Sequence, residues 1–271
     1  MTMTGPDAGT QAQPAGPSRR ADDAIALGGV RVTYSTKGHA PRTVLSGIDL
    51  TIPNGEFTAL VGRSGCGKTT LLNLVAGLAD PSAGTVTVLG KEPRQARGQL
   101  GFMLARDALL PWRTALRNVE YGLELRGVAT ARRRETALHW LEAVQLSHAQ
   151  HQWPWQLSQG MRQRVALART WALNPSVLLM DEPFAALDMN TRVSAQRTFL
   201  DLWQAEEHRT VIFVTHDLGE AIALADRVVL LGGGRVLDDV RVEIDRPRDL
   251  ATITADPRYQ ELHQRLRERL R

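Results

Sequence analysis

The chain has 271 residues, 43% of them hydrophobic, which suits one large α/β domain or two small ones around a sizeable core. Its single cysteine, Cys66, excludes a disulfide framework and a cysteine-rich metal site and fits a reducing compartment. The net charge of +4 is spread widely; the densest basic run, "ARRRE" at Ala131–Glu135, reads as a solvated helix face, so no nucleic-acid-binding stripe is expected.

Residues 1–22 mix Pro, Gly, Thr and Gln without an apolar segment and read as a disordered tail, not a signal peptide. Next, "IALGGVRVTYST" and "GIDLTIPNGEFTALVG" alternate apolar and polar residues around turn signals such as Pro53-Asn54-Gly55, the pattern of paired strands. The second run ends in the Gly-rich "GRSGCGKTT" (62–70), and "TTLLNLVAGL" behind it has helical spacing up to Gly77 and Pro81. The order is strand, glycine loop, helix, and then another strand at "GTVTVLG". From Thr114 to about Gln150 the apolar spacing turns helical, which predicts a helical subdomain around residues 100–170. "RQRVALARTWAL" continues as a helix to Asn174-Pro175. "SVLLMDEP" and "TVIFVTHD" are buried-strand runs, each closing on acidic or imidazole side chains, as open parallel sheets arrange their chemistry. These apolar runs fall well short of the roughly 20 residues that span a bilayer. One domain is expected over 23–247, followed over 248–271 by an amphipathic helix with Leu262, Leu266 and Leu270 on one face, docked on its own domain.

Gly62–Thr69 fits G-x-x-x-x-G-K-[ST] between a predicted strand and helix, the context this phosphate loop needs. Gly62, Arg63, Ser64, Gly65, Cys66, Gly67 and Thr70 supply a run of N–H groups that converge on phosphate oxygens. Lys68 neutralises the β/γ charge, and the Thr69 hydroxyl ligates Mg²⁺. Cys66 reads as a small residue of the loop whose thiol is exposed in an electropositive place. In "VLLMDEP", Asp181 closes a hydrophobic strand and holds Mg²⁺ through its water shell, while Glu182 polarises the attacking water. A second anion site lies at "LSQGMRQRVALAR" (157–169), because a small, open first helical turn presents free N–H groups.

That helix, "VLLMDEP", then "AALD" (185–188) and "VTHD" (214–217) follow the phosphate loop in order, and the set resembles the nucleotide-binding subunits of ABC transporters from about Ile25 to Pro247. The resemblance implies a RecA-like P-loop NTPase core with a small antiparallel β subdomain and a helical subdomain. It also implies two subunits, a homodimer for a single gene product, closing head to tail so that each ATP lies between the phosphate loop of one and the signature helix of the other. Leu157, Ser158, Gln159, Gly160 and Met161 form that signature; Gln159 stands where the family has its first Gly and Met161 where it has Gln. Tyr34 would stack on adenine, Asp188 would contact the opposing subunit, and His216 would hydrogen-bond the γ-phosphate. "LLPW" followed by "RNV", with "RPRDL" at 246–250, is similar to importer ATPases for nitrate, sulfonate, taurine or related solutes. Such a subunit lies at the cytoplasmic face of the cell membrane, bound to a permease that a solute-binding protein feeds.

Leu109, Leu110 and Trp112, stiffened by Pro111, make either an apolar knob for the permease or part of the subunit's own core. Ala105 stands where the family has a Gln that reaches Mg²⁺ or the attacking water. Three readings stay open: turnover relies on the other groups, this copy hydrolyses slowly, or Arg106 or Asp107 takes over. The alternative functions are a soluble ABC ATPase outside transport and a regulatory ATP-binding module with weak turnover.

Overall fold

The alternating N-terminal runs pair as β1 (Asp23–Tyr34) and β2 (Arg42–Pro53), antiparallel, with β4 (Ala83–Val88) on the other side of β1. This computed structural model describes residues 22–35, 40–205 and 209–270; residues 1–21 of the expected tail lie outside them. The three strands are the small antiparallel β subdomain. Gly55, at φ 77°, lets the chain turn from β2 directly into β3 (Phe57–Gly62), whose side chains are all buried. β3 leads through the glycine loop into α1 (Lys68–Val75), and β4 is followed by the short α2 (Pro93–Ala96) and by β5 (Leu100–Met103).

The larger sheet runs β5-β6-β7-β3-β8-β9, with β6 (Val177–Asp181), β7 (Thr210–Thr215) and β8 (Arg227–Gly232) parallel to β3 and β9 (Arg235–Arg241) antiparallel at the edge. A strand covered on both faces sends alternate side chains to opposite layers. Phe57, Ala59 and Val61 therefore join Leu178, Met180, Val211 and Phe213 in one core. Leu60 joins Val177, Leu179, Ile212 and Val214 in a second core, shared with α1 and the antiparallel sheet. In the first core the Phe57 ring meets Phe199, Trp203 and Phe213 edge-on at 5.5, 5.5 and 6.0 Å, contacts worth ~0.5–1.5 kcal/mol each beyond area burial.

The helical region starts later than residue 100. Leu100–Met103 pairs with β6 as the edge of the large sheet, because Gly101 and Met103 are buried against it. Beyond it α3 (Ala115–Leu125), α4 (Thr130–Ala143) and α5 (Gln159–Trp171) pack on one another. Thr114 caps α3 by accepting from Arg117 N. α5 then meets α6 (Met189–Ala205). α7 (Leu218–Leu224) follows β7, its N-cap Asp217 accepting from the N–H groups of Gly219 and Glu220.

The C-terminal helix α8 (Pro257–Arg269) lies against α7 and β9, with Leu266 fully buried and Leu262 and Leu270 partly so. "RPRDL" ties the segment before it to the core. Arg246 pairs with Asp226 at 2.8 Å and covers the Trp203 ring at 4.6 Å. Arg248 donates to the carbonyls of Ile244, Ile222 and Ala225, and its burial pulls the guanidinium down to about 10. No helix among the described residues is long and apolar enough to cross a membrane.

Candidate functional site

The C-terminal ends of three neighbouring strands, β6, β7 and β3, converge where the glycine loop opens. Gly65 and Gly67 hold φ 81° and 108°, and Gly67 admits no side chain, since an added Cβ would stand 2.5 Å from Leu45 Cδ2. Lys68 is buried at the start of α1 and donates to the carbonyls of Gly62 at 2.7 Å and Arg63 at 3.4 Å. The Thr69 hydroxyl donates to Asp181, 3.1 and 3.3 Å from its two oxygens. Burial pushes the Asp181 carboxyl above the usual range, with the Thr69 hydrogen bond opposing the shift.

Glu182 follows β6 at φ 47°, uncommon for a non-glycine residue, and its N–H is fixed by Val214 O at 2.9 Å. That turn aims its carboxylate back into the site. Oε1 lies 4.0 Å from Lys68 Nζ and Oε2 3.0 Å from His216 Nδ1, so the Nδ1–H tautomer of His216 donates to it. His216 stands just beyond β7. A cavity of about 820 Å³, lined by Tyr34, Arg42, Ser64, Lys68, Thr70 and Glu182 among others, opens over the loop, and half of the Tyr34 side chain faces solvent. This is a volume for a nucleotide-sized ligand.

A hydroxyl and a carboxylate that already meet suit a hard, oxygen-seeking cation such as Mg²⁺, which takes one or two protein oxygens and completes its shell with phosphates and water. Among the described residues there is no cluster of three or more His, Cys, Asp or Glu to hold a metal by itself. The donor set therefore fits an ion that arrives with a phosphate ligand.

Cys66 departs from expectation. Its side chain is buried and turns beneath the loop, where an added Cβ on Gly62 would stand 2.6 Å from its Sγ, so the thiol is packed and not presented to solvent.

The residues expected to form the signature are not brought to this cavity. Ser158 caps α5 with its Oγ accepting from Met161 N at 3.2 Å, Gln159 is exposed, and Leu157 is buried beneath the turn. Gly160 faces α6, where an added Cβ would collide with Thr191 Cγ2. Asp188 is exposed before α6, its carboxyl held below the usual range by hydrogen bonds from Thr191. Neither segment lines the cavity over its own phosphate loop.

The knob divides. Leu109 is 8% exposed and belongs to the core, whereas Trp112 is 68% exposed. Buried Asn118 holds the loop between them, accepting from Leu110 N at 2.7 Å and donating to the carbonyls of Leu110, Arg113 and Thr114. Trp153 and Trp155 stack nearly parallel at 5.2 Å on an adjoining loop, since Ala115 N donates to Gln152 O. Ala105 is half-buried, Arg106 is exposed, and Asp107 is ion-paired with Arg162.

Three polar residues escaped the sequence reading. Gln163 of α5 donates to Pro183 O, next to Glu182. Glu220, in the capping-box position after Asp217, turns inward instead, accepting from Thr215 Oγ1 at 2.5 Å and Gln196 Nε2 at 2.8 Å, and burial raises its carboxyl. Asn118 lies in the quoted "RNV", yet its isolated amide gives no sign of the four bonds it makes.

A phosphate loop at the centre of a parallel sheet, with paired acidic residues closing the next strand but one, defines a P-loop ATPase that binds ATP. The chain belongs to the ABC transporter family, whose model matches residues 45–185. It is 46% identical to an uncharacterised ABC transporter ATP-binding protein of Methanocaldococcus jannaschii, over 77% of this chain and 79% of that one. It is 45% identical to the aliphatic sulfonates import ATP-binding protein SsuB of Burkholderia pseudomallei, over 91% and 73% respectively. Among solved structures, the dimeric ATP-binding cassette MJ0796 in a post-hydrolysis state with ADP and Pi superposes with a TM-score of 0.73. That match has 32% identity and covers 82% of this chain and 100% of that one.

Proposed function

We propose that this chain is the ATP-hydrolysing subunit of an importer, closing head to tail with a second copy on two MgATP to drive a separate membrane permease. The observation that carries the reading is the first turn of α5. It is a helix N-terminus with no acidic residue in its first turn, a setting that favours an anion, and it lines none of its own chain's cavity, which supports a ligand carried by another copy. Similarity to a dimeric cassette supports the pairing, and similarity to SsuB supports an aliphatic sulfonate as the solute; a solute-binding protein would deliver it to the permease.

In this reading Tyr34 stacks on adenine while the backbone of 62–70 and Lys68 hold the phosphates. Thr69 and, through water, Asp181 would hold Mg²⁺, which when bound would neutralise developing phosphate charge. Glu182 accepts a hydrogen bond from the attacking water and orients it in line. His216, already fixed against Glu182, donates toward the γ-phosphate. Ser158 and the N–H groups of Gln159 and Gly160 complete the partner's site, and Asp188 meets the partner beside Met189, which is 80% exposed. Trp112, Trp153 and Trp155 form the aromatic face for the permease.

A second reading, a regulatory ATP-binding module with weak turnover, draws on Ala105, which offers no polar group where the family has Gln.

The test is a mixed dimer of Lys68→Ala and Ser158→Arg chains. Head-to-tail pairing puts both lesions in one site and leaves the other intact, so each mixed dimer traps one ATP while each variant alone traps none. If the mixture also traps none, the lesions fall in separate sites and the arrangement is wrong.

A further inference from the structure

The loop that follows β5 and the helix that carries Ser158 are joined by a compact set of charged hydrogen bonds. Asp107 Oδ2 accepts from Arg162 Nε at 3.0 Å, and its Oδ1 accepts from Leu109 N at 3.2 Å. Arg162 also donates through Nη1 to Leu157 O at 2.8 Å, one residue before the signature serine. About two turns further along α5, on the same face, Arg169 donates to Asp107 O at 2.9 Å and to Ala108 O at 2.8 Å. Asp107 and Arg162 are each about three-quarters shielded from water, so their attraction is screened less than that of a surface pair.

Two consequences follow from this wiring. Asp107 grips the loop on one side, through Leu109 N, and the entry to α5 on the other, through Arg162 and Leu157 O. The loop that ends at exposed Trp112 and the turn that presents Ser158 are therefore tied to each other through one side-chain pair. The same helix reaches the catalytic turn from its other face through Gln163 and Pro183 O.

We propose that Asp107 is a positioning residue that locks the signature turn to the Leu109–Trp112 loop, so that the pose of Ser158 toward the partner's ATP depends on the Asp107–Arg162 pair. This rests on α5 being the signature helix of the proposed function. It also assigns a different task to the loop that has lost its Gln: contact with the signature helix in place of contact with the lytic water.

The test uses the full chain carrying Glu182→Gln, with MgATP as the probe and no permease. Three quantities are read for each variant: thermal midpoint, ATP affinity of the dilute monomer, and the protein concentration at which ATP drives pairing. Asp107→Asn and Arg162→Gln are expected to lower the thermal midpoint by only a few degrees, to leave the ATP affinity unchanged, and to raise the pairing concentration about tenfold. Asp107→Glu, which keeps the charge, restores most of the loss. Pairing at wild-type concentration by both neutral variants, while Ser158→Arg abolishes pairing, overturns the role of Asp107 and spares the signature assignment. Pairing that survives Ser158→Arg as well overturns both. If Asp107→Asn lowers the thermal midpoint and ATP affinity together with pairing, and Asp107→Glu does not rescue, the pair is only structural and the proposal fails.

Discussion

In the proposed mechanism Glu182 is the residue on which the chemistry turns, and its backbone explains why it is so placed. A non-glycine residue held at φ 47° costs ~1–3 kcal/mol, borne by the flanking β6 pairing and the Val214 carbonyl, and in exchange the carboxylate reaches Lys68 and His216 together. Glu182→Gln keeps the shape and removes the basicity. It is expected to lower turnover by ~10²–10⁴ while ATP remains bound, read as a protein-bound ATP pool by nucleotide chromatography. Hydrolysis at the wild-type rate would remove Glu182 from the mechanism. Ala105 makes the complementary case. With Asp107 committed to Arg162, no neighbouring carboxylate is free to replace the absent Gln. Ala105→Gln is therefore expected to raise permease-stimulated turnover, by no more than ~10–100-fold for one hydrogen bond to a charged group. An unchanged rate and unchanged Mg²⁺ dependence in steady-state assays would set this account of the loop aside.

At the scale of elements, the loop between β5 and α3 separates two roles that its sequence presents as one. Leu109 points into the helical core and Trp112 away from it, because Asn118 fixes the turn between them. Leu109→Asp is expected to cost ~2–4 kcal/mol in urea unfolding, as a buried unpaired charge does. Trp112→Asp should unfold like the wild type and bind ATP, yet fail to co-purify with the permease; if it instead unfolds early, its side chain is structural. The strands, the phosphate loop and the helices were legible because burial imposes periods of two and 3.6 on the chain, and phosphate chemistry imposes a fixed local spacing. Contacts between distant segments leave no such trace. Nothing near Asp107 announces Arg162, 55 residues on, nothing near Glu220 announces Gln196, and the inward turn of Cys66 depends on Gly62 having no side chain. Strand β5 is legible only through the resemblance that ends a strand near Ala105, since four residues at a sheet edge are too few to show alternation.

For the whole molecule, the decisive feature is that β3 and β7 lie between two separate cores, while α3 and α4 pack chiefly on each other and on α5. A layer clamped on both faces opens only when everything opens, whereas a block resting on one helix can open alone. Amide hydrogen exchange should therefore divide the chain, with β3 and β7 exchanging at the rate of global unfolding and α3 and α4 through a cheaper, partial opening; uniform protection across both regions would contradict this. Under the proposed head-to-tail pairing, ATP is expected to change the pattern in two stages that mass action separates. Binding to the monomer slows exchange in α1, whatever the protein concentration. Slowing in the first turn of α5 waits for the second copy, so its onset shifts with total protein while that of α1 does not. Exchange measured at two dilutions thus dates the arrival of the partner without any label on it.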